Sequence, residues 1–448
     1  MRPGSQERTG EQDLFRARLD QIINMRHELV RLAQTIDWAW IDGELAECFS
    51  EQGRPGLPTR FMVGLLLLKQ TYGLSDEQVC DRWVYDPYFQ YFTGAEFFAH
   101  EFPHERSGIS HWRKRLGKKL DVLLAESLRV AHATGAIKTS DLARITVDTT
   151  VQPKAVTHPT DAKLMLRAIQ KVGGQAKAHG LKLRQSYARL AKRAALMAGR
   201  YTHAKQFNRA NRMLRFLRTR LGRLIRDIRR RIDGDERLEA TFAEPLNKAL
   251  RIRWQNQHQR GPKLYSWHAP EVECIGKGKA HKPYEFGVKV TITTTNRRCK
   301  GGQFVLHAKA LAGNPYDGHT LAQAVEETES LTGRKVERVF VDKGYRGHST
   351  PDPRRVFISG QKRGVHGVIK RELKRRSAIE PVIGHLKDDG HLGRNFLKGR
   401  HGDRNNAVLS AVGHNCRLLL RWLKLLLCLI LTAIRAASSR QSLLKPAC

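Results

Sequence analysis

ARITVDTTVQ, residues 143–152, and VERVFVD, residues 336–342, are the stretches from which the fold is read. In the first, Ile145, Val147 and Val151 alternate with Thr146, Asp148 and Gln152, the period of two expected of a strand. The second is short, apolar and rich in β-branched residues, as a buried strand is. Each carries an aspartate at or near its end, Asp148 and Asp342. A carboxylate there is costly unless it is paired or metal-bound. In open α/β sheets such ends project into the crevice where ligands bind. An aspartate after a strand also starts many turns, and that plain reading holds for either one taken alone.

Outward from these, strands are expected over 285–294 (EFGVKVTITT), 303–311 (QFVLHAKAL) and 355–359 (RVFIS), a helix over 319–332, and a charged, largely helical stretch over 368–397. The order strand, helical insertion, strand, strand, helix, strand, strand, helix is that of a mixed-sheet α/β domain. In the last stretch Arg376, Glu380 and Lys387 follow one another at intervals of four and seven and share a helix face. That face would set a metal-binding carboxylate between two cations able to grip phosphate. The bland alternative is a surface ion pair one turn apart. Pro381 could kink the helix and turn Lys387 away.

The 448 residues carry 80 Lys plus Arg against 43 Asp plus Glu, a formal net charge of +37. A fold gains nothing from such self-repulsion, so a polyanionic partner is the natural reading. Nucleic acid stands first, anionic membrane second and acidic protein third. Seven scattered cysteines without a C-x-x-C argue against a disulfide framework and against structural zinc. Met1–Asp13 lacks the apolar core of a signal peptide. Leu425–Ile434 (LLLCLILTAI) is too short to span a bilayer and reads as a buried or oligomerising helix.

The N-terminal part reads as helices over 14–32 and 60–72, the latter stopped by Gly73. Ser75 and Gln78 have capping-box spacing, Pro87 closes the following helix, and a basic helix with Arg113, Lys114 and Arg115 begins near Ser110. A helix-turn-helix type unit and a plain bundle with a solvated basic face both fit. Between Asp161 and Arg231 there are 21 Lys or Arg and two acids, Asp161 and Asp227. Leu214, Leu217, Leu221, Leu224 and Ile228 form one apolar stripe. Arg212, Arg215, Arg218, Arg223, Arg226 and Arg229 occupy the other faces, to be laid along phosphates or simply solvated. Asp233-Gly234-Asp235 ends the run in a turn.

Lesser signals are weaker. Ile275–Pro283 (IGKGKAHKP) is a basic loop that touches DNA backbone or only connects. His100 and His104 are separated by Pro103, which disfavours a helical metal pair. Asp317, in the turn Asn314–Gly318, lines the cleft or merely serves the turn. Trp112 and Trp267 read as core or stacking residues.

The motifs around the acids, ITVDTTVQ, VFVDKGYRG and LKRRSAIEPVIGHLK (373–387), resemble those of bacterial insertion-sequence transposases with a DDE catalytic domain, in particular the families numbered four and five. The third-acid signature is matched at Arg376, Glu380 and Lys387, while Leu373 stands where the family has tyrosine. The resemblance runs from about Leu57 to Gly402. It implies an α/β fold of RNase H-like type, a mixed sheet flanked by helices, with a helical N-terminal domain and a basic all-helical insertion. It implies Asp148, Asp342 and Glu380 as catalytic, metal-holding residues, with Mg²⁺ as cofactor and Mn²⁺ able to replace it. Arg376, Lys387, Arg113, Lys114 and Arg115 are the candidates for DNA phosphate. Double-stranded DNA, as element ends and target, is the expected partner of a homodimer or higher assembly at a cytoplasmic, nucleoid-associated location with no membrane. The expected layout is an N-terminal helical DNA-binding region over 1–135, a catalytic domain over 140–403 interrupted by the insertion 158–262, and a C-terminal helix and tail over 404–448. A non-catalytic DNA-binding descendant and a purely hydrolytic nuclease of the same fold are the alternatives.

Overall fold

The computed structural model describes residues 17–50, 56–257, 259, 261–276, 283–350 and 355–442. It divides into two compact units, one formed by residues 1–153 with 289–448 and the other by 154–288.

The strands form one six-stranded mixed sheet. They are β1 (Arg144–Pro153), β2 (Glu273–Gly276), β3 (Tyr284–Thr295), β4 (Val305–Leu311), β5 (Arg338–Val341) and β6 (Val356–Ile358). Their order is β2-β3-β1-β5-β6, with β4 also paired to β3. β5 runs parallel to β1, with Thr146 opposite Phe340, and β6 runs parallel to β5. β4 returns antiparallel to β3. The alternation in β1 predicts one buried face, but Ile145, Thr146 and Val147 are all buried. Thr146 tolerates this because the Asn296 side-chain amide donates to its hydroxyl at 3.0 Å.

In the first unit the helix Thr59–Tyr72 is buried along nearly its whole length and ends on Gly73, whose φ of 65° suits glycine. Ser75 and Gln78 form the expected capping box, with Oγ accepting from the Gln78 N–H at 3.1 Å and Oε1 accepting from the Ser75 N–H at 2.9 Å. The helix expected over 14–32 is instead broken into Leu19–Ile22 and Glu28–Thr35. Asn24 accepts from the Arg26 N–H, and His27 caps the second helix by accepting from the Leu29 N–H. Residues 14–16 lie outside the described residues.

The C-terminal segment expected as a helix and tail over 404–448 is largely one long helix. One helix runs Gly399–Ser442, and Ala407, Val408, Leu409, Ala411, Val412, Leu419 and Leu423 lie in the core. Its polar residues finish the sheet. Asn415 Oδ1 accepts from the Val305 N–H and its Nδ2 donates to the Val305 carbonyl, both at 2.9 Å, so one side chain serves β4 as a strand neighbour would. Asn406 donates to Gln152 of β1 at 2.9 Å. Within the apolar run 425–434, Leu425 is half exposed, and side chains beyond Cys428 lie outside the described residues. No described helix is long and apolar enough to cross a membrane.

The second unit is an all-helical bundle of Asp161–Ala178, Ala188–His203, Phe207–Ile232 and Glu236–Trp254, joined to β2 and the start of β3. Leu217, Leu221, Leu224 and Ile228 are buried, and Leu214 is half-buried against the same core. Gly234 takes φ 84° in the expected turn, and Asp235 caps the next helix by accepting from the Leu238 N–H. Most of the basic loop 275–283 lies outside the described residues.

Candidate active site

Three elements of the first unit meet at one guanidinium. Asp148 lies in β1, Asp342 directly follows β5, and Glu380 is in the first turn of the helix Ile379–Asp388. Asp148 and Asp342 are 194 residues apart in sequence. Arg376, only 12% exposed, reaches all three. Its Nη1 is 3.7 Å from Asp148 Oδ2, and its Nη2 is 3.9 Å from Asp342 Oδ1 and 3.5 Å from Glu380 Oε1. The parallel pairing of β1 with β5 explains the first two: Thr146 lies opposite Phe340, and the same register sets Asp148, in the middle of β1, level with Asp342 just past the end of β5. Arg376 belongs to a tight turn, Arg375–Ala378, rather than to Glu380's helix, and Arg375 fixes that turn by donating to the Asn296 carbonyl at 2.7 Å. Pro381 does not kink the helix. It falls within the first turn, where no N–H partner is needed. Lys387 lies seven residues beyond Glu380 on the same helix.

Burial raises the Asp148 carboxyl to about 6. Its bond from the Thr149 N–H (2.8 Å) and the Arg376 charge pull the other way, and Asp342 and Asp317 raise it further. Asp317 is thus part of the cluster. Its Oδ1 accepts from the Thr149 hydroxyl and from Lys289 Nζ, each at 3.0 Å. Gly344 makes room for it: a Cβ there would stand 3.3 Å from Asp317 Oδ2. The Tyr345 phenol is raised well above its ordinary range by burial and by the charges of Asp148 and Asp317. Thr149, next to Asp148, and Tyr345, three residues after Asp342, carry no local sign of a site role, and Lys289 comes close only through the fold.

The raised Asp148 carboxyl has a stability consequence. Its folded value exceeds the unfolded value near 4. The ionised group therefore costs the folded state nothing below about pH 4 and its full penalty above about pH 6. Asp148→Asn is expected to stabilise the metal-free protein by roughly 1–2 kcal/mol at pH 7.5. Thermal melts in EDTA check this, and a gain that persists at pH 4 would refute the cause.

Among the basic candidates of the N-terminal part, Arg113 is corrected. It is 4% exposed and makes two bonds to Asp76, at 2.9 and 2.8 Å, so it cannot reach a phosphate. Lys114 and Arg115 are exposed. His104 packs edge-on against Phe61. Among the described residues no three His, Cys, Asp or Glu side chains converge on a metal-sized point. In the acid cluster the reason is visible: the Arg376 guanidinium occupies the space between the carboxylates.

Residues 17–115 match the transposase domain family DUF772. A protein of Rhizobium meliloti described as uncharacterized protein ORF8 in the nfe locus is 53% identical over 208 residues, which is all of that protein and 46% of this chain. The chain belongs to a transposase family. No solved structure matches it. The match to the transposase domain ends before Asp148, so the assignment and the acid cluster are independent observations on this transposase-family protein.

Proposed function

We propose that this chain is a DDE-type transposase with an RNase H-like catalytic domain, which cleaves DNA at the ends of a mobile element and joins the freed ends to target DNA. The observation that carries the reading is the meeting of Asp148, Asp342 and Glu380 at Arg376, from three separate elements. An all-oxygen donor set suits Mg²⁺ or Mn²⁺. The Asp148 carboxyl, held near 6, is a group that gains from a nearby cation. Asp148, Asp342 and Glu380 would hold the metal, and Arg376 would have to give up its place among them. When bound, divalent ions supply activation of an oxygen nucleophile and stabilisation of the leaving oxygen.

The chain's own residues then do the positioning on which phosphoryl transfer depends. Asp317, held by Lys289 and Thr149, fixes the strand that carries Asp148. Arg376 and Lys387 grip flanking phosphates as Arg376 leaves the carboxylates, while Lys114 and Arg115 offer cations in the N-terminal part. A planar, forked guanidinium does both jobs where an ammonium cannot. Arg376→Lys is therefore expected to lower cleavage about 10²-fold with duplex affinity changed only a few-fold. Cleavage of end-bearing duplexes alongside a shift assay measures both, and full activity in the lysine variant would remove Arg376 from the mechanism. The whole reading is tested by incubating wild-type protein with DNA carrying the element's ends and a target plasmid, in Mg²⁺, Mn²⁺ or EDTA. Metal-dependent nicks plus joined products support it. Nicks alone favour a hydrolytic nuclease, and binding without nicks a non-catalytic protein.

A further inference from the structure

The helix Phe207–Ile232 presents its charge as a line. At 100° per residue, Arg212, Arg215, Thr219, Arg223, Arg226 and Arg230 fall within one narrow stripe. The buried residues Leu217, Leu221, Leu224, Ile225 and Ile228 fall on the opposite side. All five arginines are exposed. From Arg212 to Arg230 the stripe spans about 27 Å, the length of roughly eight base-pair steps. Near its end a cleft lined by Arg184, Arg223, Arg226 and Arg230 adds a cation from a neighbouring segment. The one acid in that cleft, Asp227, is buried and already engaged, accepting from the Arg184 N–H at 2.9 Å and pairing with Arg230 and Arg231 at 3.6 and 3.5 Å. Among the described residues, Arg230 alone of the five stripe arginines has a carboxylate within ion-pair reach.

We infer that this stripe is a binding surface for the phosphate backbone of duplex DNA, independent of base sequence. Five like charges in line repel one another, and a regular row of phosphates relieves that repulsion along its whole length. A membrane surface fits poorly, because the apolar side of the helix is spent in the bundle core. The inference builds on the transposase reading but does not need the acid cluster.

The test uses the full chain and 40-base-pair duplexes of unrelated sequence. The variant carries Arg212→Gln, Arg215→Gln, Arg223→Gln, Arg226→Gln and Arg230→Gln together. A companion variant carries lysine at the same five positions, and circular dichroism and melting confirm that both fold. Because each neutralised phosphate contributes about 0.9 to the slope of log affinity against log salt, the glutamine variant should lose roughly 3–4.5 from that slope on every sequence. The lysine variant should keep it. A slope unchanged within about one unit, or a loss confined to one DNA sequence, would overturn the proposal. So would a loss shared by the lysine variant, or wild-type binding to phosphatidylserine vesicles in preference to DNA. If the slope falls as expected while wild-type protein cuts no DNA with any metal, the surface stands and the transposase reading falls.

Discussion

On the proposed DDE reading, Asp148→Asn, Asp342→Asn and Glu380→Gln are each expected to lower Mg²⁺-dependent cutting of element ends by at least about 10³-fold and to leave duplex binding within a few-fold. The size follows from the way the three act as one unit: removing any member of such a set costs nearly as much as removing all, so the losses will not add in double variants. Binding survives because the protein's excess positive charge lies elsewhere, and deleting one carboxylate makes the local potential more favourable to phosphate. Asp317→Asn is the informative contrast. It weakens the bonds from Lys289 and Thr149 but removes no acid that touches Arg376, so a smaller loss is expected. Single-turnover cleavage measures all four. If any of the three acid variants cuts at more than a tenth of the wild-type rate, that residue is not part of the centre.

Arg113→Ala is expected to destabilise the first unit by about 2–4 kcal/mol, because it empties a buried guanidinium site and leaves the half-buried Asp76 carboxylate without its main partner. Arg113 Nη1 and Nη2 clasp both oxygens of Asp76, while Lys69 Nζ sits 2.6 Å from one of them with its side chain 10% exposed. Burial alone would raise the Asp76 carboxyl, but the bonds and charges of Arg113 and Lys69 overcome this and hold it well below its ordinary range. Such a group stabilises the fold above its unfolded value near 4 and loses that contribution as pH falls further. Hence the gap between wild type and Arg113→Ala should be widest near neutrality and narrow in acid. Urea titrations at pH 7 and pH 2 would show it. Lys114→Ala and Arg115→Ala, on exposed neighbours, should stay within about 0.5 kcal/mol. An equal loss across the three would mean that the Asp76 clasp is not what matters.

Arg113 also shows where sequence reading stops. In HWRKRL three cations stand side by side, and nothing local says that one of them turns inward to an aspartate 37 residues away. The acids were legible because each breaks or closes a pattern: Asp148 within the alternation of β1, which runs on to Pro153 past the strand end expected near it, Asp342 at a strand end, and Glu380 between cations at helical spacing. Asp317 read equally as a cleft residue or a turn residue, and its link to Lys289 and Thr149 depends on how β3, β1 and the helix Asp317–Thr332 stack. The strands were found to within one or two residues wherever branched apolar runs were bounded by turns. The break at Asn24–His27 was missed because the apolar period continues through it while the side chains of Asn24 and His27 redirect the backbone. In the long terminal helix nothing local marks Asn406, His414 and Asn415 as buried. They are buried because they complete a sheet and meet β1.

That last helix sets the order in which the molecule can become active. Asp148 leaves the ribosome about 250 residues before Gly399–Ser442 begins, a wait of roughly ten to fifty seconds at ordinary rates of synthesis. Until then β4 lacks the amide of Asn415, β1 lacks Asn406, and the helix Thr59–Tyr72 lacks part of the cover over its apolar surface. The bundle 154–288, compact by itself, can fold during that interval. A copy shortened by a premature stop before residue 399 therefore cannot assemble the acid cluster on a finished sheet, yet it still carries the arginine helix. On the proposed function, such a shortened product would occupy DNA without cutting it and would compete with an intact protein made in the same cell.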